Sequence, residues 1–253
     1  MSAESRGAFV ARLSWPEVER RMQAGAVAVL PVGAACKEHG PHLPMNADFL
    51  QAEWLAAALA QHATVLVWPT LAYGHYPAFT DYPGSVSLGR ETFERMVREI
   101  LSDIRRAGAR AALILNTGIS TIAPLETVAG AMPDDLRVAL AYVYDGSRCR
   151  DEIEQIEQQP RGGHADEIET SILLAIAPDR VTMDLAEAWT PPSMAGGGRL
   201  SRGEPDDPRY SPSGIYGDPT RATEEKGRRV LAAMVEDLLA AVGDLHSSAR
   251  AGR

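Results

Sequence analysis

Seven residues, Ala26 to Val32, run without a charged or hydroxyl side chain between Gly25 and Gly33, and this stretch constrains the fold most. A short Val/Leu-rich run flanked by glycines reads as a strand buried on both faces, the kind that builds a mostly parallel sheet. Directly after it come Lys37, Glu38, His39, His42 and Asp48, on a loop stiffened by Pro41 and Pro44. Parallel α/β sheets place their ligand crevice beyond the carboxyl ends of the strands. Two imidazoles and two carboxylates in such a crevice offer nitrogen and oxygen donors suited to zinc or manganese. The same groups also read as ordinary polar loop residues, with Asp48 capping the helix that follows.

Strand and helix signals alternate along the chain. Ser14-Trp15-Pro16-Glu17 is a helix start, and that helix runs to about Ala24. Strong helix formers follow Asp48 as far as His62, and Thr64 to Pro69 is the next buried strand. Residues 71–88 form a long loop with a Tyr-His-Tyr cluster, and loops of that length are often functional. There His75 either faces a substrate or packs among tyrosines. Glu91 to Ala107 is amphipathic, with Phe93, Met96, Val97, Ile100, Leu101 and Ile104 on one face, and Gly108 suits its C′ position. Ala111 to Leu115 and Leu136 to Tyr144 are further strands, with a short helix ending at Ala131 between them. The acidic stretch 145–159 reads as a solvated helix or loop. A helix is expected over Glu167 to Ala177, an extended loop or lid over 190–219, a last helix to about Val242, and a polar tail over 244–253.

At 253 residues the chain fits a single α/β domain. A net charge of −9 and the lack of a basic stripe argue against nucleic acid as a partner. Two cysteines, Cys36 and Cys149, do not make a disulfide framework, which points to the reducing cytoplasm. Cys36 has no activating signature around it that would mark a nucleophile. The N-terminus lacks an apolar signal core, and no run approaches the roughly 18 apolar residues of a spanning helix, so no membrane association is expected.

Several stretches together resemble the creatininase (creatinine amidohydrolase) family. The run His39-Gly40-Pro41-His42-Leu43-Pro44, with Asp48 nine residues after His39, is similar to that family's G-S-x-E-Q-H-G-P-H-L-P-x-x-x-D. Tyr82-Pro83-Gly84-Ser85-Val86-Ser87-Leu88 resembles its F-P-G-T-x-S-L, and His164-Ala165-Asp166-Glu167-Ile168-Glu169-Thr170-Ser171 its H-A-G-E-x-E-T-S. The segment from Gly214 to Thr220 resembles the family's closing segment. Two departures coincide: Lys37 stands where the family has the Glu of E-Q-H, and Gly118 where N-G-H-G-G-N has its His.

The resemblance implies a three-layer α/β/α sandwich with a mostly parallel central sheet, and a metal-dependent hydrolase that opens cyclic or linear amide C–N bonds. It further implies that His39, Asp48 and Glu167 hold one divalent ion, zinc first and manganese or iron as alternatives, since the ligands of a second ion are missing. His164 is then the acid/base, Glu169 orients it, and Lys37 puts an ammonium near the lost cation, where it can hold an oxyanion. Glu38 and His42 are secondary candidates, with His75. A small-molecule substrate and a homo-oligomer, often a hexamer, are also implied. Two other functions stay open: hydrolysis of a cyclic ketone, lactone or sugar-derived ring, and a non-catalytic metal- or metabolite-binding relative.

Overall fold

The computed structural model describes residues 5–192, 199–201 and 207–251, except for the side chains of 248–251. Its strands are β1 (Ala8–Phe9), β2 (Val27–Val32), β3 (Val65–Val67), β4 (Ala111–Asn116) and β5 (Arg137–Tyr142). The helices are α1 (Trp15–Gln23), α2 (Ala47–His62), α3 (Arg90–Arg106), α4 (Ile122–Gly130), α5 (Ser147–Ile156), α6 (Glu167–Ile176) and α7 (Glu224–Ala251). All strands pair in parallel in the order β1-β3-β2-β4-β5.

Alternating side chains of the central strands feed two separate cores. Val27 and Val29 of β2, with Leu113 and Leu115 of β4, pack under α2, α5, α6 and α7. Ala28, Leu30, Val32, Ala112 and Ile114 face α1, α3 and α4. The result is a three-layer α/β/α sandwich, in which every residue of β2 and β4 is buried. On α3 Phe93, Val97, Leu101 and Ile104 are buried, while Met96 and Ile100, expected on the same face, are only partly buried at its edge. Burying each such side chain contributes about 1.5–3 kcal/mol before entropy is counted. Pro31 is tolerated within β2 because β3 has already ended at Val67, and the Pro31 carbonyl accepts from the Leu71 N–H (2.9 Å) instead.

Three elements differ from the sequence reading. β1 is only two residues long, too short to leave a pattern in the sequence. α7 continues to Ala251, well past Val242, so the expected polar tail is helical through that residue; Leu245 still reaches the core and extends the packed face. The expected loop or lid over 190–219 falls partly outside the described residues, at 193–198 and 202–206. Within its described part Leu200 packs against Ala34, Tyr76 and Phe79. No helix among the described residues is long and apolar enough to cross a membrane.

The connections after β2 and β4 leave the sheet in opposite directions, one toward β3 and the other toward β5. Such a switch in strand order opens a crevice at the carboxyl ends of the two neighbouring strands. The loops 33–46 and 117–121 line it.

Candidate metal centre

The loop after β2 returns at once onto the start of α2. Gly33 permits this, because a Cβ there would stand 2.5 Å from the Asp48 carbonyl oxygen. Asp48 consequently lies in the first turn of α2, where the helix dipole favours a negative charge. On the other wall, the backbone turns sharply at Ala165, which has φ +48 although it is not glycine. Asp166 then caps α6, its Oδ1 accepting from the Ile168 and Glu169 N–H groups at 2.9 and 3.1 Å. The turn and the cap bring His164 and Glu169 to the same side.

Donor atoms of His39, His164 and Glu169 lie within 4.8 Å of one another. The backbone fixes the orientation of both imidazoles. His39 Nδ1 is 2.9 Å from the Lys37 carbonyl oxygen, and His164 Nε2 is 2.9 Å from the Glu38 carbonyl oxygen. A carbonyl only accepts, so each of these nitrogens carries its proton. The other nitrogens face carboxylates: His39 Nε2 sits 3.2 Å from Asp48 Oδ1, and His164 Nδ1 3.7 Å from Glu169 Oε2. Each of these nitrogen–carboxylate pairs needs a proton or a cation between its two atoms. Metal-ligating histidines commonly donate their second N–H to a backbone carbonyl in just this way.

The electrostatics point the same way. Glu38, Asp48 and Glu169 place three carboxylates in the crevice against one ammonium, that of Lys37. Burial pushes the Glu169 carboxyl up to about 7, although His164 and Lys37 work against the rise. Burial also opposes ionisation of Asp48, yet Lys37 and His39 together hold its carboxyl well below the ordinary range. The chain therefore carries a candidate His/His/Glu triad, a donor set that suits a divalent ion with an open coordination position.

Lys37 is buried, with its Nζ 2.7 Å from Asp48 Oδ2 and 4.8 Å from the centre of the Phe79 ring. A Cβ on Gly118 would stand 3.9 Å from that same Oδ2. Lys37, Asp48, Tyr76, Asn116, Gly118 and Thr121 are among the residues enclosing a cavity of about 10 Å³, room for roughly one water molecule. Two larger cavities, of about 460 and 450 Å³, lie elsewhere, one beside Gly25 and Arg106 and one along β5 and α7. Neither adjoins the imidazole cluster.

Not every expected site residue joins the cluster. Glu167, expected as a ligand, is turned away: one oxygen pairs with the Lys226 ammonium, and the other accepts from the Gln158 and Gln159 N–H groups at 2.9 and 2.6 Å. Among the described residues the converging donors are therefore those of His39, His164 and Glu169, with Asp48 flanking His39 and Glu167 outside the cluster. His75 is tied through Nδ1 to the Leu88 carbonyl oxygen (2.9 Å) and closes the ends of the 71–88 loop. His42 Nε2 meets Thr170 Oγ1 at 2.8 Å, and burial, with His39 nearby, lowers its pKa to about 4. Glu38 accepts from the Gly40 N–H and places Oε2 3.3 Å from His164 Nε2, so it holds the imidazole from behind. In the sequence Tyr76 stands out only as part of the Tyr-His-Tyr cluster; its burial in the wall it shares with Lys37 has no local signature.

Comparison with known proteins follows the same lines. The family model described as creatinine amidohydrolase matches residues 11–242. A creatinine amidohydrolase from Pseudomonas putida is 29% identical over 259 residues, covering 94% of this chain and 97% of the relative. A mycofactocin precursor peptide peptidase from Mycolicibacterium smegmatis is 31% identical over 224 residues, covering 83% and 81%. Among solved structures, a mutant creatininase of the Zn–Zn type superimposes with a TM-score of 0.79 at 27% identity, covering 95% of this chain and 98% of that one.

Proposed function

Because the chain belongs to the creatininase (creatinine amidohydrolase) family, we propose that it is a metal-dependent amidohydrolase acting on the C–N bond of a small cyclic or linear amide. The observation that carries this reading is the pair of imidazoles, His39 and His164, each held by a backbone carbonyl at one nitrogen so that the other faces a carboxylate. The relatives' own names, an amidohydrolase and a peptide peptidase, both describe cleavage of amide-type bonds.

In this reading His39, His164 and Glu169 hold one divalent ion, zinc by donor type, with manganese or iron as alternatives. The ion supplies Lewis acidity and brings the pKa of water toward about 7. Asp48 stands beside His39, where its Oδ1 can accept a hydrogen bond and orient the attacking water. The Lys37 ammonium offers a hydrogen bond to the substrate oxygen that gains charge as the tetrahedral state forms. An ammonium cannot acidify water as a metal does, so its role is to hold charge. The position of His164 within the donor cluster gives it a ligand's role here, in place of the acid/base role that the resemblance implies. Phe79, 4.7 Å from the His164 ring, shields this side of the centre from water.

Metal analysis of the purified protein beside His39→Ala, His164→Ala and Glu169→Gln variants tests the centre. One equivalent per chain in the wild type and a loss in each variant is expected. A full equivalent surviving all three would place the metal elsewhere. With metal restored, release of amine from an amide panel is expected; turnover confined to ketone or lactone rings would replace the amide assignment. Tight metal binding without turnover across both panels would favour a binding protein.

A further inference from the structure

The cavity beside Lys37 is enclosed by groups that the fold otherwise leaves with little to do. Tyr76 is 2% exposed, and its hydroxyl, with the Gly74 backbone turned toward it, donates to no acceptor among the described residues. Buried polar groups are nearly always paired, so an orphaned phenol at a cavity wall points to a ligand. Asn116 and Thr121, also in the wall, are engaged with one another and with the Gly118 backbone. Thr121 Oγ1 lies 2.7 Å from Asn116 Oδ1, and Asn116 Nδ2 donates to the Gly118 carbonyl at 2.8 Å. The side-chain donors left over are the Tyr76 and Ser120 hydroxyls and the hydrogens of the Lys37 ammonium that Asp48 does not take.

Volume decides what can enter. About 10 Å³ takes one oxygen atom and excludes a ring or a branched group. Gly118 keeps that volume open, because any side chain there would begin 3.3 Å from Thr121 Oγ1 and 3.9 Å from Asp48 Oδ2. We infer that this cavity is a subsite for a single substrate oxygen, the carbonyl oxygen of the bond to be cut, held by the Tyr76 hydroxyl together with the Lys37 ammonium. The assignment rests on the hydrolase reading above and adds to it a binding residue and a size limit. Substrates must present a bare, unhindered carbonyl to this wall. A carboxylate fits the same donors, which makes acetate a usable probe.

The test uses the full chain loaded with Mn(II), and follows broadening of the acetate methyl proton resonance as acetate is titrated. Wild type is expected to bind acetate saturably. Tyr76→Phe keeps the buried ring and removes only the hydroxyl, so it should weaken acetate about tenfold, the size of one hydrogen bond to a charged group, with manganese content unchanged. Gly118→Val should weaken it at least as far by filling the subsite, and Gly118 has no positive φ that would make the substitution fail to fold. Equal affinity in wild type and both variants, or manganese uptake with no acetate binding, overturns the subsite and leaves the metal centre standing. Failure of the wild type to take up manganese overturns the metal centre, and the subsite with it.

Discussion

The Lys37 ammonium sits 2.7 Å from Asp48 Oδ2, and both side chains are buried. Asp48 therefore divides its carboxylate, Oδ1 toward His39 and the donor cluster, Oδ2 toward an internal cation. Gly118 faces the same Oδ2. A related creatininase structure is of the Zn–Zn type. Here one positive charge, the Lys37 ammonium, is covalently built in beside Asp48.

The first prediction follows from that substitution of charge. The double variant Lys37→Glu, Gly118→His restores a carboxylate and an imidazole around Asp48 Oδ2. Its zinc content should approach two equivalents per chain, against one for the wild type, by elemental analysis after dialysis. Lys37→Glu alone should be destabilised by about 3 kcal/mol or more, since it buries Asp48 beside a second carboxylate. Added zinc should recover much of that loss in the double variant. Two equivalents in the wild type would sink the one-ion proposal.

The two glutamates of α6 should behave in opposite ways. Glu169→Gln should lower metal affinity at least about a hundredfold while leaving the metal-free fold intact, because it removes a carboxyl whose ionisation burial already opposes. Glu167→Gln should retain the metal and lose about 3 kcal/mol of stability, as it leaves the Lys226 ammonium without its carboxylate. Metal titration and denaturant unfolding on the two variants check this, and a reversed pattern would return Glu167 to the ligand set.

That pair also shows where the sequence stopped being informative. The strand Ala26–Val32, the ligand loop after it and the buried face of α3 were all legible, since apolar runs and helical periodicity are local signals. Glu167 and Glu169 share the first turn of one helix but point about 200° apart. Glu167 is held away from the crevice by the Gln158 and Gln159 N–H groups and by Lys226, some 59 residues further along the chain. No local pattern carries that choice. Tyr76 is similar, because its meaning comes from Lys37 and Gly118, on the loops after two other strands. The family motifs could name His39 and His164, but the hydrogen bonds to the Lys37 and Glu38 carbonyls that orient them are backbone geometry.

Acid should weaken the fold partly through His42. Its pKa falls from the ordinary 6.5 to about 4 in the folded chain, chiefly through burial. Between these values the unfolded chain binds more protons than the folded one, so stability falls as pH drops from 6.5 toward 4. The loss from this group amounts to about 3 kcal/mol at pH 4. Guanidinium unfolding of the metal-free protein at pH 7, 5.5 and 4, beside His42→Gln, isolates it. The variant should show a shallower decline over that window; parallel declines would mean that His42 is not held neutral.

Glycine at 214 is the last constraint with a measurable consequence. It has φ +82, and a Cβ there would collide with the Glu38 carboxylate. Glu38 in turn accepts from the Gly40 N–H and lies against His164 Nε2. Gly108 provides the control: its φ is +103, but a Cβ there meets nothing within 4 Å. Gly108→Ala should therefore cost only the backbone penalty of a left-handed alanine, about 1 kcal/mol. Gly214→Ala should cost more, by about a further 1–3 kcal/mol, as Glu38 is displaced and its hydrogen bonds are lost. Because Glu38 holds the His164 ring, Gly214→Ala should also weaken metal binding, whereas Gly108→Ala should leave it unchanged. Equal effects of the two substitutions on stability and on metal affinity would show that Glu38 does not position the donor cluster.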